Sequence, residues 1–211
     1  MKLRNSLNYA ILAGLSALVQ PSRTASSDLD FMLPRLTQFT ITLPLEKRLR
    51  SIEGMETWPL LRISNYDEYI RAASSEYPEI SPSHLYSMIY QESRGNSRAR
   101  SPKKAVGLMQ ITPITQRHLG ITRIDAFNPE TAIRKGTEYF SELLDHYNGN
   151  EILALAAYNS GPGRINTLLT RKGLSHETAT YENFGRFLNK ETRNYIMEVL
   201  INRERIEQVY L

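Results

Sequence analysis

One carboxylic acid in this chain stands where its proton could be put to use. A helix starting at Ser81-Pro82 carries apolar Leu85, Met88 and Ile89, and three residues beyond Ile89 stands Glu92. Positions 85, 88, 89 and 92 therefore form one stripe on one face. A carboxyl that continues an apolar stripe loses water, and burial penalises its charged form. Glu92 also falls in the last turn before Gly95, where the negative end of the helix dipole opposes ionisation. Both effects favour an acid still protonated near neutral pH, the state a general acid needs. The plainer reading is a glutamate at the helix margin, paired with Arg94 or Arg98. Helical spacing alone favours that reading, because structural carboxylates far outnumber catalytic ones.

Three further segments hold polar residues that could serve a ligand, and the amide of Gln110 suits sugar hydroxyls and N-acetyl groups. In Val106-Gly107-Leu108-Met109-Gln110-Ile111, the glycine lets backbone approach a ligand, and Gln110 both donates and accepts hydrogen bonds. In Ala156 to Gly163, an apolar helix ends in Tyr158, Asn159 and two glycines, an end able to present both polar side chains to a cleft. In Glu191-Thr192-Arg193-Asn194-Tyr195, Tyr195 lies one turn before Val199 and faces inward with a hydroxyl that needs a partner. Taken singly, these segments are weak signals, and the plainer readings are a turn, a helix stop and core packing.

Together and in this order, the four segments resemble the lysozyme-like lytic transglycosylases of the soluble (Slt) type. That family has a Glu-Ser pair ending a helix, then Gly-Leu-Met-Gln, Ala-Tyr-Asn-x-Gly-Pro-Gly and Glu-Thr-Arg-x-Tyr. Here these are Glu92-Ser93, Gly107 to Gln110, Ala157 to Gly163 and Glu191 to Tyr195. Asn96 to Ala99 and Gly136 to Phe140 are similar as well, so the resemblance covers roughly residues 66–205. It implies a mainly α, lysozyme-like helical domain and non-hydrolytic cleavage of the β-1,4 bond between N-acetylmuramic acid and N-acetylglucosamine in peptidoglycan. Glu92 is then the single acid and base, and the sugar's own 6-hydroxyl closes a 1,6-anhydro ring. No second carboxylate of the kind most glycosidases use is needed. By position, Ser93 supports the site, Gly107, Met109 and Gln110 line the cleft, Tyr158 and Asn159 contact the sugar or its N-acetyl group, and Tyr195 orients Glu92 or substrate.

Two positions depart from the family pattern. Lys104-Ala105 stands where glycine-alanine is usual, and Phe187 to Lys190 replaces a proline-phenylalanine pair. Lys104 is expected to shift the loop or add charge near the cleft. Two rival readings remain open: a hydrolytic muramidase on the same fold, and a non-enzymatic wall-opening factor of an envelope-spanning secretion or conjugation machine. Peptidoglycan strands are the expected partner in each case.

The elements that must hold these residues are helices with polar turns between them. Thr112-Pro113 and Asn128-Pro129 repeat the cap-then-proline start of Ser81-Pro82. The Asn128 helix keeps Ile133, Gly136, Tyr139, Phe140, Leu143, Leu144 and Tyr147 inside and breaks at Asn148-Gly149-Asn150. Further helices are expected over about 151–158 and 164–171, and from near Asn189 with Ile196, Val199, Leu200 and Ile206 inward. Residues 66–211 therefore read as the catalytic domain. Residues 26–65 lack clean periodicity, prolines at 34, 44 and 59 interrupt them, and Thr37 to Leu43 alternates as a strand would. They read as a short N-terminal extension.

Composition narrows the rest. The 211 residues, 41% hydrophobic, suit one domain of ordinary size that needs no disulfide or metal staple. With no cysteine, disulfides, thiolate metal sites, a cysteine nucleophile and a lipidated cysteine are all excluded. His84, His118, His146 and His176 have no metal-ligand spacing, so neither metal nor cofactor is expected. Lys2 and Arg4 precede the uncharged run Tyr9 to Val19, about 11 residues, too short to span a membrane but fit for an export signal over 1–25. Three of the net +4 charges sit on Lys2, Arg4 and Arg23, leaving +1 from Ser26 onward. Such a chain gives no reason to expect nucleic acid as a partner. It is expected to be exported, periplasmic and free of a lipid anchor.

Overall fold

The computed structural model describes residues 44–210, all within the unit Ile41–Leu211. The export signal expected over 1–25 and the strand expected over 37–43 lie outside the described residues. The helices are α1 Leu45–Leu49, α2 Thr57–Ser64, α3 Asp67–Glu76, α4 Pro82–Ser93, α5 Pro113–His118, α6 Pro129–His146, α7 Glu151–Ser160, α8 Pro162–Lys172, α9 Tyr181–Phe184 and α10 Lys190–Tyr210. Short 3-10 turns occur at Asp125–Phe127 and Gly185–Phe187. Among the described residues, extended pairing is confined to the isolated bridges Arg100–Val106 and Val106–Ile111.

Local chemistry accounts for the helix starts. The side chains of Ser81, Thr112 and Asn128 each accept from the backbone amide three residues on, and a proline follows each cap. Asn150 caps α7 in the same way through the amide of Leu153. Each such cap contributes about 1 kcal/mol. α4 ends where Arg94 turns left-handed at φ 53°.

α4 is the centre of the domain. It packs against α2, α3 and most extensively α10, which also packs on α7, while α7 in turn lies against α6 and α8. The helix is consequently buried almost all round, Ser83, His84, Tyr86 and Ser87 included. The stripe Leu85, Met88, Ile89 is thus one part of a wholly enclosed helix, because neighbours cover its other faces too.

The structured domain begins before Tyr66. Leu49, Leu60 and Ile63 are fully buried, α2 lies on α4, and α1 lies on α2 and α10. Pro44 stands at the N-terminal boundary of α1 and Pro59 in the first turn of α2. Amides in a first turn have no helical partner, so proline costs nothing there. Pro44 and Pro59, which looked like interruptions, stand at helix starts, Pro34 lies outside the described residues, and residues 44–65 belong to the folded domain.

Candidate active site

Glu92 occupies the last turn of α4 and is half-buried. Its pKa is raised to about 7, chiefly because protein atoms crowd the carboxyl and remove its water. A contact with the Tyr195 hydroxyl pulls the value down, the charge of Glu191 pushes it up, and the charge of Lys103 opposes that. Arg94 does not pair with Glu92. Its guanidinium lies 3.0 Å from Glu56 and 4.4 Å above the Tyr90 ring. Ser93 is buried, and its hydroxyl donates back to the Ile89 carbonyl of its own helix at 3.3 Å.

The connection from Ala99 to Ile111 forms the next wall. Val106 and Ile111 exchange backbone hydrogen bonds at 3.3 and 3.0 Å, and the Gly107 amide donates to Ala99 at 3.1 Å. Gly107 has φ 80°, and a methyl group there would lie 2.0 Å from the Ala126 carbonyl oxygen. Its close approach is therefore to the chain's own backbone, not to a ligand. Met109 points inward and is wholly buried, its side chain filling the space that Gly136 leaves by lacking a Cβ. Its contribution to the site is its carbonyl, which accepts the Tyr158 hydroxyl at 2.8 Å. Gln110 is half-buried with φ 49°, and its amide nitrogen donates to Gly107 at 2.9 Å. That bond leaves its carbonyl oxygen as the end free to accept.

α7 and α10 complete the enclosure. Tyr158 stands against Tyr139 and Phe140, with ring centroids 5.6 and 6.0 Å away. Burial first, then the charge of Glu92, holds its hydroxyl well above the usual phenol range. Asn159 accepts from the Thr192 hydroxyl at 2.7 Å, so its amide nitrogen is the end left to donate. Tyr195 is 4% exposed, and burial, then Glu92, holds its hydroxyl well above the usual range as well. That hydroxyl has no well-formed hydrogen bond. Its interaction with the Glu92 carboxyl, though it bears on both pKa values, falls short of good geometry. A buried donor left so near the acid is ready for a better partner, either the ionised carboxylate or a ligand oxygen.

The four segments thus converge from α4, the 99–111 connection, α7 and α10. Behind them, two turns along each helix from the site, a second polar contact ties the same three helices together. His84 Nε2 on α4 lies 3.5 Å from Glu151 on α7, and Glu151 pairs with Arg203 on α10. His84 is buried, and its pKa falls to about 3 through burial first and the Arg203 charge second.

Several further residues shape the site. Thr192 is buried and fixes Asn159, Tyr139 flanks Tyr158, and Lys103 pairs with Glu191 at 3.2 Å beside Glu92. Thr192, Glu191 and Tyr139 lie inside segments already singled out. The inward period of α6 pointed to Tyr139. Nothing in the spacing marks Lys103. The charge near the cleft comes from Lys103, whereas Lys104 is exposed and adopts the left-handed φ of 64°. A glycine would take that conformation freely, whereas a lysine is strained by it. Among the described residues there is no His, Asp or Glu cluster able to hold a metal ion.

Chemically, the arrangement offers one acid poised to be neutral near pH 7, two neutral phenols beside it, and two amides with one free end each. That set suits proton transfer to a polyhydroxylated, amide-bearing ligand.

The family model described as Transglycosylase SLT domain matches residues 68–179. The soluble lytic murein transglycosylase of Salmonella typhimurium is 33% identical over 153 residues, 69% of this chain and 23% of the relative. The 70 kDa soluble lytic transglycosylase of Escherichia coli superposes with a TM-score of 0.60 at 32% identity, over 68% of this chain and 24% of that one. An inactive mutant of the lytic transglycosylase Slt from Pseudomonas aeruginosa gives 0.57 at 30%, over 67% and 24%. The chain thus spans about a quarter of the length of these relatives.

Proposed function

Because this chain belongs to the transglycosylase SLT family, we propose that it is a peptidoglycan lytic transglycosylase that uses Glu92 as its single acid and base. The observation that carries the reading is the half-buried Glu92, raised to about 7 at the point where the family's motif segments meet. Neutral Glu92 donates its proton to the glycosidic oxygen between N-acetylmuramic acid and N-acetylglucosamine. The bond from C1 to that oxygen breaks, and positive charge develops on the muramic ring. The Glu92 carboxylate then accepts the proton of the 6-hydroxyl as its oxygen bonds C1. The products are a 1,6-anhydro end and a free 4-hydroxyl, Glu92 is protonated again, and no water is consumed. The Tyr195 hydroxyl steadies the carboxylate form, and Gln110 and Asn159 hold hydroxyl and acetamido groups with their free ends.

Mass spectrometry of fragments released from purified peptidoglycan tests the reaction. Anhydro ends, lighter by one water than hydrolysed ends, are expected, and reducing ends sink the proposal. A hydrolytic mechanism has one observation in its favour, since the charge of Glu191 acts on Glu92. Glu191 is, however, largely exposed and engaged by Lys103, which suits a rim charge better than the holder of an attacking water. Glu191→Gln is expected to keep the anhydro product.

The reading places the protein in the periplasm, exported through the signal expected over 1–25, where the polymer it cuts is found. It further has the enzyme acting locally for an envelope-spanning secretion or conjugation machine. Fractionation of cells carrying the tagged full chain tests the export step, and recovery in the cytoplasm overturns it.

A further inference from the structure

The helices that carry Glu92 and Tyr195 also border a cavity of about 610 Å³, with the connection Gly54 to Glu56 along its third side. None of the side chains assigned to the active site lines it. α4 contributes Gln91 and Arg94, and α10 contributes Asn194, Glu198 and Asn202, a row whose members are one turn apart.

Most of this lining lacks partners. Asn202 is 2% exposed, yet its carbonyl meets only the Arg205 guanidinium, at the long distance of 3.5 Å, and its amide nitrogen donates to no described residue. A buried amide is normally hydrogen-bonded, so a donor left over at the wall of a cavity is placed for a ligand. The side chains of Gln91 and Asn194 make no hydrogen bond with a described residue either. The charges do not cancel. Glu56 is taken by Arg94 at 3.0 Å, while Glu198 is exposed and makes no ion pair with a described residue. Arg205 lies outside the lining and turns to the Gly54 carbonyl at 3.3 Å. The unmatched charge of the cavity is therefore negative.

The shape of the lining separates two kinds of ligand. Its one aromatic ring, that of Tyr90, is 5% exposed, and the Arg94 guanidinium covers it at 4.4 Å. A sugar would find no open ring face to lie on. A side-chain amide, with donor and acceptor side by side, matches the N–H and C=O of a peptide backbone. Eight residues of helix put Asn194 and Asn202 about 12 Å apart along α10, and four residues of extended chain span about 13 Å. The two asparagines can thus hold backbone groups four residues apart, with Glu198 opposite the residue between them.

We propose that the α4–α10 cavity binds an extended, basic segment of a partner protein, with Gln91, Asn194 and Asn202 on its backbone and Glu198 on a lysine or arginine side chain. The inference goes beyond the proposed reaction and does not depend on it. No active-site side chain is used, so a docked chain keeps all of them for substrate.

The test uses the isotope-labelled full chain and two blocked heptapeptides of alternating valine and serine, one with lysine and one with glutamate at its centre. NMR follows the side-chain amide signals of Asn194 and Asn202. The lysine peptide is expected to shift both signals to saturation and to bind about fivefold tighter than the glutamate peptide, the most that an exposed ion pair gives. Glu198→Lys should reverse that order and leave the thermal midpoint where it was, and Asn194→Ala should weaken both peptides alike. Signals that move with neither peptide, or an order of affinities that Glu198→Lys leaves unchanged, overturn the proposal. So does an Asn202 signal that chitotetraose shifts at lower concentration than the lysine peptide, which would assign the cavity to a sugar. Because no bond is cut in this assay, reducing ends from the active chain would sink the proposed reaction while leaving this result standing.

Discussion

At the residue scale, the role proposed for Glu92 couples activity and stability through one proton. Its carboxyl ionises at about 7 in the fold and at 4.5 in an ordinary setting, mainly because burial opposes the charge. Between those values the folded chain holds a proton that the unfolded chain has released. Stability therefore falls as pH rises from about 4.5 to about 7, and the penalty persists above. Glu92→Gln removes both the proton donor and the penalty. The variant should lose about 10³-fold or more in anhydro-product formation. It should also be about 2 kcal/mol more stable than the parent at pH 8, with the gain vanishing near pH 4. Denaturation curves at the two pH values check the sign. Activity should decline as pH rises through about 7, where the acid form is lost. Lys104 offers a second test, since its φ of 64° suits glycine. Lys104→Gly relieves about 1 kcal/mol of strain but frees the unfolded chain, for a net gain of about 0.5 kcal/mol with activity kept. A loss of stability would mean that the lysine side chain contributes something the backbone strain conceals.

At the scale of elements, the site is only as well placed as three helices are relative to one another. α4 delivers Glu92, α7 delivers Tyr158 and Asn159, and α10 delivers Tyr195. The contact of His84, Glu151 and Arg203 ties those helices at their far ends. Arg203→Met leaves Glu151 without its cation and faces it with a buried neutral histidine. The cost should be about 1–2 kcal/mol, since Glu151 and Arg203 keep part of their surface in water. Arg203 also helps to depress the His84 pKa. Its removal should therefore move the His84 titration upward from about 3, which an NMR titration of the ring would read directly. A fixed His84 titration would show that burial alone sets it.

At the scale of the whole molecule, the helix that bears Glu92 is held from the N-terminal side as well. Leu60 on α2 is fully buried and α2 lies on α4, so Leu60→Ala should cost about 2–5 kcal/mol. Against a typical total of 5–15 kcal/mol, that is enough to lower the thermal midpoint markedly while Glu92 and the side chains around it stay untouched. A chain shortened to begin at Tyr66 should lose cooperative unfolding, because α1 and α2 both leave apolar partners exposed. A shortened chain with the parent's midpoint would show that 44–65 is dispensable packing.

Much of this was determined by the sequence itself. The starts at Ser81, Thr112 and Asn128 were legible because a cap and its amide lie three residues apart, within reach of local rules, whereas Asn150 read only as part of a break and proved to cap α7. The inward period of α6 and the four chemical segments were legible for the same reason. The prolines at 44 and 59 misled, because a helix start and a helix break use the same residue and only packing separates them. The inward turn of Met109 against Gly136, the seat of Gly107 on Ala126, the Thr192 hold on Asn159 and the Lys103–Glu191 pair were decided by the tertiary structure alone. Each joins residues far apart in the chain. The same holds for Glu92. Its spacing left it a margin glutamate by default, and what raised its pKa was burial, which only long-range packing supplies; the same packing brings up Tyr195, about a hundred residues away, whose hydroxyl pulls the value part of the way back.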